Sequence, residues 1–257
     1  MKRIVIKVGT HVLFDEDKMA SDRIENLCKF LCKLLEKYEV ILVTSGSIAT
    51  GVLRSKIEKK GVVNRQMLAA VGQPYLMEIY NDIFAKFGVI TGQILLTEQD
   101  LDSRKKTDYF KGMIDGLCAE KILPIINEND ALGIKELLFG DNDQLSAAVA
   151  HRVNADMLVI LSDIDGYYTA DPRIDKTAKI RPHVSKIDEC EMHVDMRAGT
   201  EFGTGGIVTK LKAADFLLKK GRKMYLTSGF DLFAAHEFLI GEKQIGGTLF
   251  SAEIYEQ

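Results

Sequence analysis

The chemistry-bearing residues of this chain gather in a few short stretches. The densest runs from Leu123 to Ser146, where an apolar run (Ile122, Leu123, Ile125, Ile126) stops at Asn127-Glu128-Asn129-Asp130 and a second polar cluster, Asp141-Asn142-Asp143, follows Gly140. Carboxylates suit ammonium groups, and amides and hydroxyls suit carboxylates. Either cluster alone would serve as an ordinary turn or helix N-cap. Together, one ending a strand and the other opening a helix, they point to a site that grips a small polar molecule.

Other candidates stand at similar junctions. Lys7 interrupts the apolar run RIVIKV just before Gly9-Thr10. A lysine there must either reach solvent at the strand's end or meet an anion. Ser45-Gly46-Ser47 follows the apolar run EVILVT, and Ser162-Asp163 follows MLVIL. The segment from Gly203 to Lys210 (GTGGIVTK) opens a helix with glycines and carries a lysine in its second turn. Glycine permits close backbone approach, and a helix N-terminus offers free N–H groups to an anion, so this turn suits phosphate. It lacks the GxxxxGK[ST] spacing of a P-loop, and no GxGxxG follows the first strand.

These residues depend on the elements that carry them. Apolar runs at 3–8, 39–44, 89–96, 122–126, 157–161 and 224–227 read as strands, with Thr248 to Phe250 closing the sheet. Helices are predicted between them. Ser21 to Glu36 is amphipathic through Ile24, Leu27, Cys28, Leu31, Cys32 and Leu35, with Ser21 as N-cap. A helix over roughly Arg65 to Lys86 is expected to break near Gly72 and Pro74, and the charged run Thr97 to Thr107 reads as a solvated loop or lid. Tyr167 and Tyr168, in a polar loop, either line a nucleotide pocket or fill the core beneath the loop. Alternating strands and helices imply an α/β three-layer sandwich around a mostly parallel sheet. The ends of its strands would share one edge, where Lys7, Ser45, Asp130, Asp143, Asp163 and the Gly203–Lys210 turn converge.

Composition sets the outer limits. With 257 residues, 46% of them hydrophobic, the chain can bury one large core or two fused lobes. A formal net charge of −3 gives no basic field for nucleic acid or anionic membrane, so a small molecule is the expected partner. No apolar run approaches the roughly 20 residues that span a bilayer, and MKRIVIKVG is not a signal peptide, so a cytoplasmic protein is expected. Four cysteines without CxxC pairing read as core thiols, and no metal site is expected of protein ligands alone.

Taken in order, KVGT (7–10), VTSG (43–46), AAVGQ (69–73), INENDA (126–131), GDND-LSA (140–147), YTADPR (168–173) and GTGG--TKL (203–211) resemble the amino acid kinase family over essentially the whole chain. The INENDA and GDND pair resembles its glutamate-phosphorylating branch. The chain departs from that pattern at His11, where a small hydroxyl residue is usual, and over Ser103 to Leu117. Many members carry a further C-terminal domain, which this chain is expected to lack.

The resemblance implies one kinase domain over 1–257, with an amino-acid-binding lobe at about 1–150 and a nucleotide-binding lobe at about 151–257. It implies transfer of the γ-phosphoryl group of ATP to the side-chain carboxylate of L-glutamate, the first step of proline synthesis, with Mg2+ bridging the ATP phosphates and with a homo-oligomeric assembly. By the same resemblance Lys7 and Lys210 would be catalytic and Asp143 would hold them. Ser45, Asp130 and Asn142 would bind glutamate. Lys7, Ser162, Asp163, Thr204, Gly205, Gly206, Ile207, Val208, Thr209 and Lys210 would bind the nucleotide. The alternatives are an aspartate, N-acetylglutamate or uridylate kinase of the same family, or a non-catalytic amino acid or nucleotide sensor.

Overall fold

A computed structural model describes residues 1–16, 18–133, 142–193 and 206–253. In chain order the elements are β1 (Lys2–Val8), α1 (Thr10–Leu13), β2 (Phe14–Asp15), β3 (Lys18–Met19), α2 (Ser21–Leu35), β4 (Tyr38–Val43), α3 (Ser47–Arg54), α4 (Val62–Ala85), β5 (Thr91–Leu96) and α5 (Glu98–Asp102). They continue with α6 (Arg104–Ala119), β6 (Leu123–Glu128), α7 (Asn142–Arg152), β7 (Met157–Ser162), β8 (His183–Val184), α8 (Ile207–Lys219), β9 (Lys223–Ser228), α9 (Phe233–Leu239) and β10 (Thr248–Phe250).

Among the described residues one sheet takes eight strands in the order β5-β6-β4-β1-β7-β9-β10-β8, and β2-β3 forms a separate small hairpin. Every pairing in the large sheet is parallel except β10 against β9. Strands buried on both faces explain the near-continuous apolar runs. Alternation along β1 sends Ile4, Ile6 and Val8 to one face, against α2, α4 and α9, and Val5 to the other, against α6, α7 and α8. Lys7 has the parity of Val5, so the pleat sends it to the face covered by α7 and α8. The three-layer α/β sandwich is thus as expected.

Local structure differs from the sequence expectation in three places. The helix α4 runs unbroken through Gly72 and Pro74. Proline removes one backbone hydrogen bond, but burial of Leu68, Leu76, Met77 and Tyr80 holds both sides of it to the core. The charged run after Thr97 is helical, not an open loop. Thr97 and Asp100 cap each other's backbone N–H reciprocally at the start of α5, and Leu101, Phe110 and Ile114 bury the inner side of α5 and α6 under a surface of lysines and acids. Ser21 begins α2 but makes no side-chain cap. Tyr167 stacks on Phe250 at 6.2 Å between centroids and donates to Glu191 at 2.7 Å, so it packs against the core beneath its loop. Cys28 is buried and Cys32 half-buried on the apolar stripe of α2. Among the described residues no helix is long and apolar enough to cross a membrane.

Candidate active site

The parallel strands β1, β4, β6 and β7 deliver their C-terminal ends to one edge, and the predicted residues meet there. The register pairs Lys7 with Val43 of β4 and Ile160 of β7, which centres it on that edge. Its Nζ lies 2.6 Å from Asp143 Oδ1, and Lys210 Nζ lies 3.2 Å from Asp143 Oδ2. The side chains of Lys7 and Lys210 are each 5% exposed and that of Asp143 is fully buried. Burying so much charge is tolerable only when opposite charges meet and their hydrogen bonds are made. Asp143 occupies the first turn of α7, where the helix N-terminus favours a carboxylate. The Thr209 hydroxyl, on the first turn of α8, lies 2.9 Å from Asp143 Oδ2 and 2.8 Å from the carbonyl of Gly206. One carboxylate therefore sets two ammonium groups side by side, one from strand β1 and one from helix α8. Their attraction for a third, anionic group would be about 4 kcal/mol per charge at 4 Å and an effective dielectric of 20.

Asn142 joins this triad to the polar ends of β4 and β6. Its Nδ2 lies 2.5 Å from the carbonyl of Thr44, 2.9 Å from Ser45 Oγ and 2.9 Å from Asn127 Oδ1. Asp130 sits beyond Ser45 and accepts from Ser47 Oγ at 2.7 Å. Burial pushes the Asp130 carboxyl above the usual aspartate range, partly offset by the Ser47 hydroxyl and the charge of Arg65. Gly46 makes the turn between Ser45 and Ser47 in the left-handed region (φ 106°), where a side chain would be strained and a Cβ would come within 3.0 Å of the Phe14 ring. Ser47, Gln73, Glu128 and Asp130 help line a cleft of about 150 Å³ on this side.

Ser162 and Asp163 lie across the edge. Ser162 Oγ donates to Asp163 Oδ1 at 2.8 Å, and His11 Nδ1 lies 3.1 Å from Oδ2. Burial would raise the Asp163 carboxyl, but the Ser162 hydroxyl, the charge of Lys210 and His11 bring it below the usual range. His11, the departure in the first motif, is therefore a neighbour of this acid. Gly206 is the N-cap of α8, Ile207 packs on the core and Val208 is half-buried beside it. Thr204 and Gly205, like Gly140 and Asp141, lie outside the described residues.

The structure thus brings together Lys7, Lys210, Asp143, Asn142 and Ser45 by direct contact, with Asp130 and Asp163 on opposite flanks. Reading the sequence did not single out Ser47, Gln73 or Asn127 as site residues. Asn127 and Gln73 stood inside quoted motifs, and a buried amide within an apolar helix or strand was the available signal.

The chain belongs to the amino acid kinase family, whose model matches residues 2–228. It is 50% identical over 254 residues to the glutamate 5-kinase of Leishmania donovani, covering 99% of this chain and 97% of that one. The glutamate 5-kinase of Wolinella succinogenes is 49% identical over 97% of this chain and 98% of its own. A longer glutamate 5-kinase from Thermoanaerobacter sp. is 41% identical and is covered over 67% of its length. The solved UMP kinase of Bacillus anthracis (TM-score 0.65, 14% identity, 98% of this chain and 97% of that one) and the isopentenyl phosphate kinase of T. acidophilum (TM-score 0.66, 17% identity, 97% and 100%) share the fold.

Proposed function

We propose that the chain transfers the γ-phosphoryl group of ATP to the side-chain carboxylate of L-glutamate, forming L-glutamyl 5-phosphate and ADP, the step that opens proline synthesis. The observation that carries this reading is the pair of buried lysines on Asp143, set beside the Asn142–Ser45 contact. Similarity to glutamate 5-kinases over nearly the whole chain supports the same substrate pair.

A carboxylate is ionised and nucleophilic at neutral pH, so the reaction needs no general base. Its oxygen forms a bond to the γ-phosphorus while the bond to the β,γ-bridging oxygen breaks and ADP leaves with the electron pair. What opposes the reaction is the meeting of two anions and the charge on the transferring oxygens, so positioning and electrostatics supply the catalysis. Lys7 and Lys210 stabilise that charge, and Asp143 with Thr209 keeps both ammonium groups in place. Ser45 and Asn142 receive carboxylate oxygens of glutamate, and Asp130 receives its ammonium. Ser162, Asp163 and the turn from Thr204 to Lys210 hold the nucleotide, so the acceptor belongs to the half before about residue 150 and the nucleotide to the half after it.

Mg2+ commonly keeps phosphate and water ligands, so an ion carried in on the polyphosphate would need little from the protein. Bound there, the ion would neutralise phosphate charge. The reaction belongs in the cytoplasm, with its nucleotide supply. Val62, Val63 and Met67 leave an apolar strip exposed along α4, which supports a homo-oligomer; light scattering behind a sizing column tests it.

Trapping of the acyl phosphate with hydroxylamine tests the function. L-Glutamate should give hydroxamate in strong preference to N-acetylglutamate, whose capped nitrogen leaves Asp130 without a charge partner. Aspartate, one methylene shorter, should also be poor. Equal or greater yield from either would refute the reading.

A further inference from the structure

One polar group on the acceptor side has no task in the reaction as described. Gln73, on α4, is 7% exposed and lines the cleft with Ser47, Glu128 and Asp130. Its orientation follows from a chain of amides that has one consistent direction. The backbone N–H of Glu128 can only donate, and it meets Asn127 Oδ1 at 2.9 Å. Asn127 must therefore turn its Nδ2 the other way, where it donates to Gln73 Oε1 at 2.8 Å. That contact fixes Gln73 Nε2 as the end that carries two protons, and among the described residues this buried nitrogen has no hydrogen-bond partner. Buried donors are almost always paired, because they have given up water.

Gln73, which lines the cleft, thus brings an unpartnered amide donor to its wall, and Asp130 brings a carboxylate acceptor. An α-amino acid head group presents the complement, an ammonium beside a carboxylate. We propose that Gln73 is a specificity-determining residue whose Nε2 donates to the α-carboxylate of the acceptor, next to the ammonium held by Asp130. This rests on the reading that glutamate is the acceptor. It also separates the two carboxylates: the α group meets Gln73, and the side-chain group turns toward Ser45, Asn142 and the lysines.

The test compares glutamate with 4-aminobutyrate, which is glutamate without its α-carboxylate, in wild type, Gln73→Leu and Gln73→Glu. Hydroxamate formation gives kcat and KM, with a competition constant for 4-aminobutyrate where its turnover is slow. Gln73→Leu should raise KM for glutamate by roughly ten- to a hundredfold, the range for a hydrogen bond to a charged group. KM for ATP and the constants for 4-aminobutyrate should stay near wild type. Gln73→Glu keeps the acceptor that Asn127 uses and sets a negative charge against the ligand, so it should weaken glutamate further and again spare 4-aminobutyrate. An unchanged KM for glutamate in both variants, or equal losses for both compounds, would overturn the proposal, the second result meaning that Gln73 only supports Asn127. Failure of the wild type to bind glutamate by calorimetry or to phosphorylate it would instead remove the reading beneath it.

Discussion

Asp143 carries the heaviest electrostatic duty of any side chain described. Asp143→Ala would leave Lys7 and Lys210 close together and buried without their shared counter-charge, a change that typically costs about 3–5 kcal/mol. Urea denaturation should show that loss of stability. Lys7→Ala or Lys210→Ala should instead lower kcat at least ~10²-fold, the usual effect of deleting one preorganised transition-state donor, with smaller changes in glutamate affinity. A change confined to KM would reassign that lysine to ground-state binding. Asp130 answers to pH. Its folded pKa is raised by burial, so the folded state keeps this proton to higher pH than the unfolded chain does. Its contribution to stability is full below the ordinary aspartate pKa and is lost as pH rises through the raised value. Asp163, with a lowered pKa, behaves oppositely: its contribution is present above the ordinary value and is lost as pH falls through the depressed one. An arriving ammonium should draw the Asp130 proton off. Calorimetry in buffers of different ionisation enthalpy, run just above the ordinary aspartate range, should register more proton release on glutamate binding by the wild type than by Asp130→Asn.

Among the elements, α3 and α4 touch through their backbones. A Cβ on Gly72 would stand 1.9 Å from the Ser47 carbonyl oxygen, and one on Gly51 would stand 2.0 Å from that of Leu68. Neither neighbour is a side chain that can swing away. Gly72→Ala should therefore destabilise by about 1–3 kcal/mol through overpacking. It should also raise KM for glutamate, because Ser47 begins α3 and Gln73 follows Gly72. Gly112, inside α6, has nothing within 4 Å of an added Cβ, so Gly112→Ala should stabilise by roughly 0.4–1 kcal/mol. Opposite signs in melting temperature would confirm that helix contact, and not helix propensity, decides the first case. These elements also mark how far the sequence could be read. Six strands and their order of appearance were legible because each is an apolar run, buried on both faces in all but the edge strand β5. Lys7 and Asp143 stood out because charge at such junctions demands a partner. The continuity of α4 was not legible, since Pro74 is an interruption in local terms and only burial of its neighbours overrides it. The helices after Thr97 were hidden because Leu101, Phe110 and Ile114 are sparse among charged residues. Gln73 and Asn127 were quoted but not understood, because the direction of an amide chain exists only in three dimensions.

For the whole molecule, the sheet order places the first strand in the middle. Its partner on one side, β4, follows within the same half, whereas its partner on the other, β7, begins at Met157. The edge of β1 that faces β7 therefore emerges early and stays open until most of the chain has been made. Closing so long a loop is slow, and an open apolar edge invites pairing with other chains. Refolding should accordingly pass through a species in which amides of β4, β5 and β6 are protected before those of β7 and β9, as pulsed hydrogen exchange would reveal. Aggregation should peak while that species is populated and should fall when a chaperone that shields apolar edges is present. The strand that bears Lys7 at the candidate site is, during biogenesis, the chain's most vulnerable one.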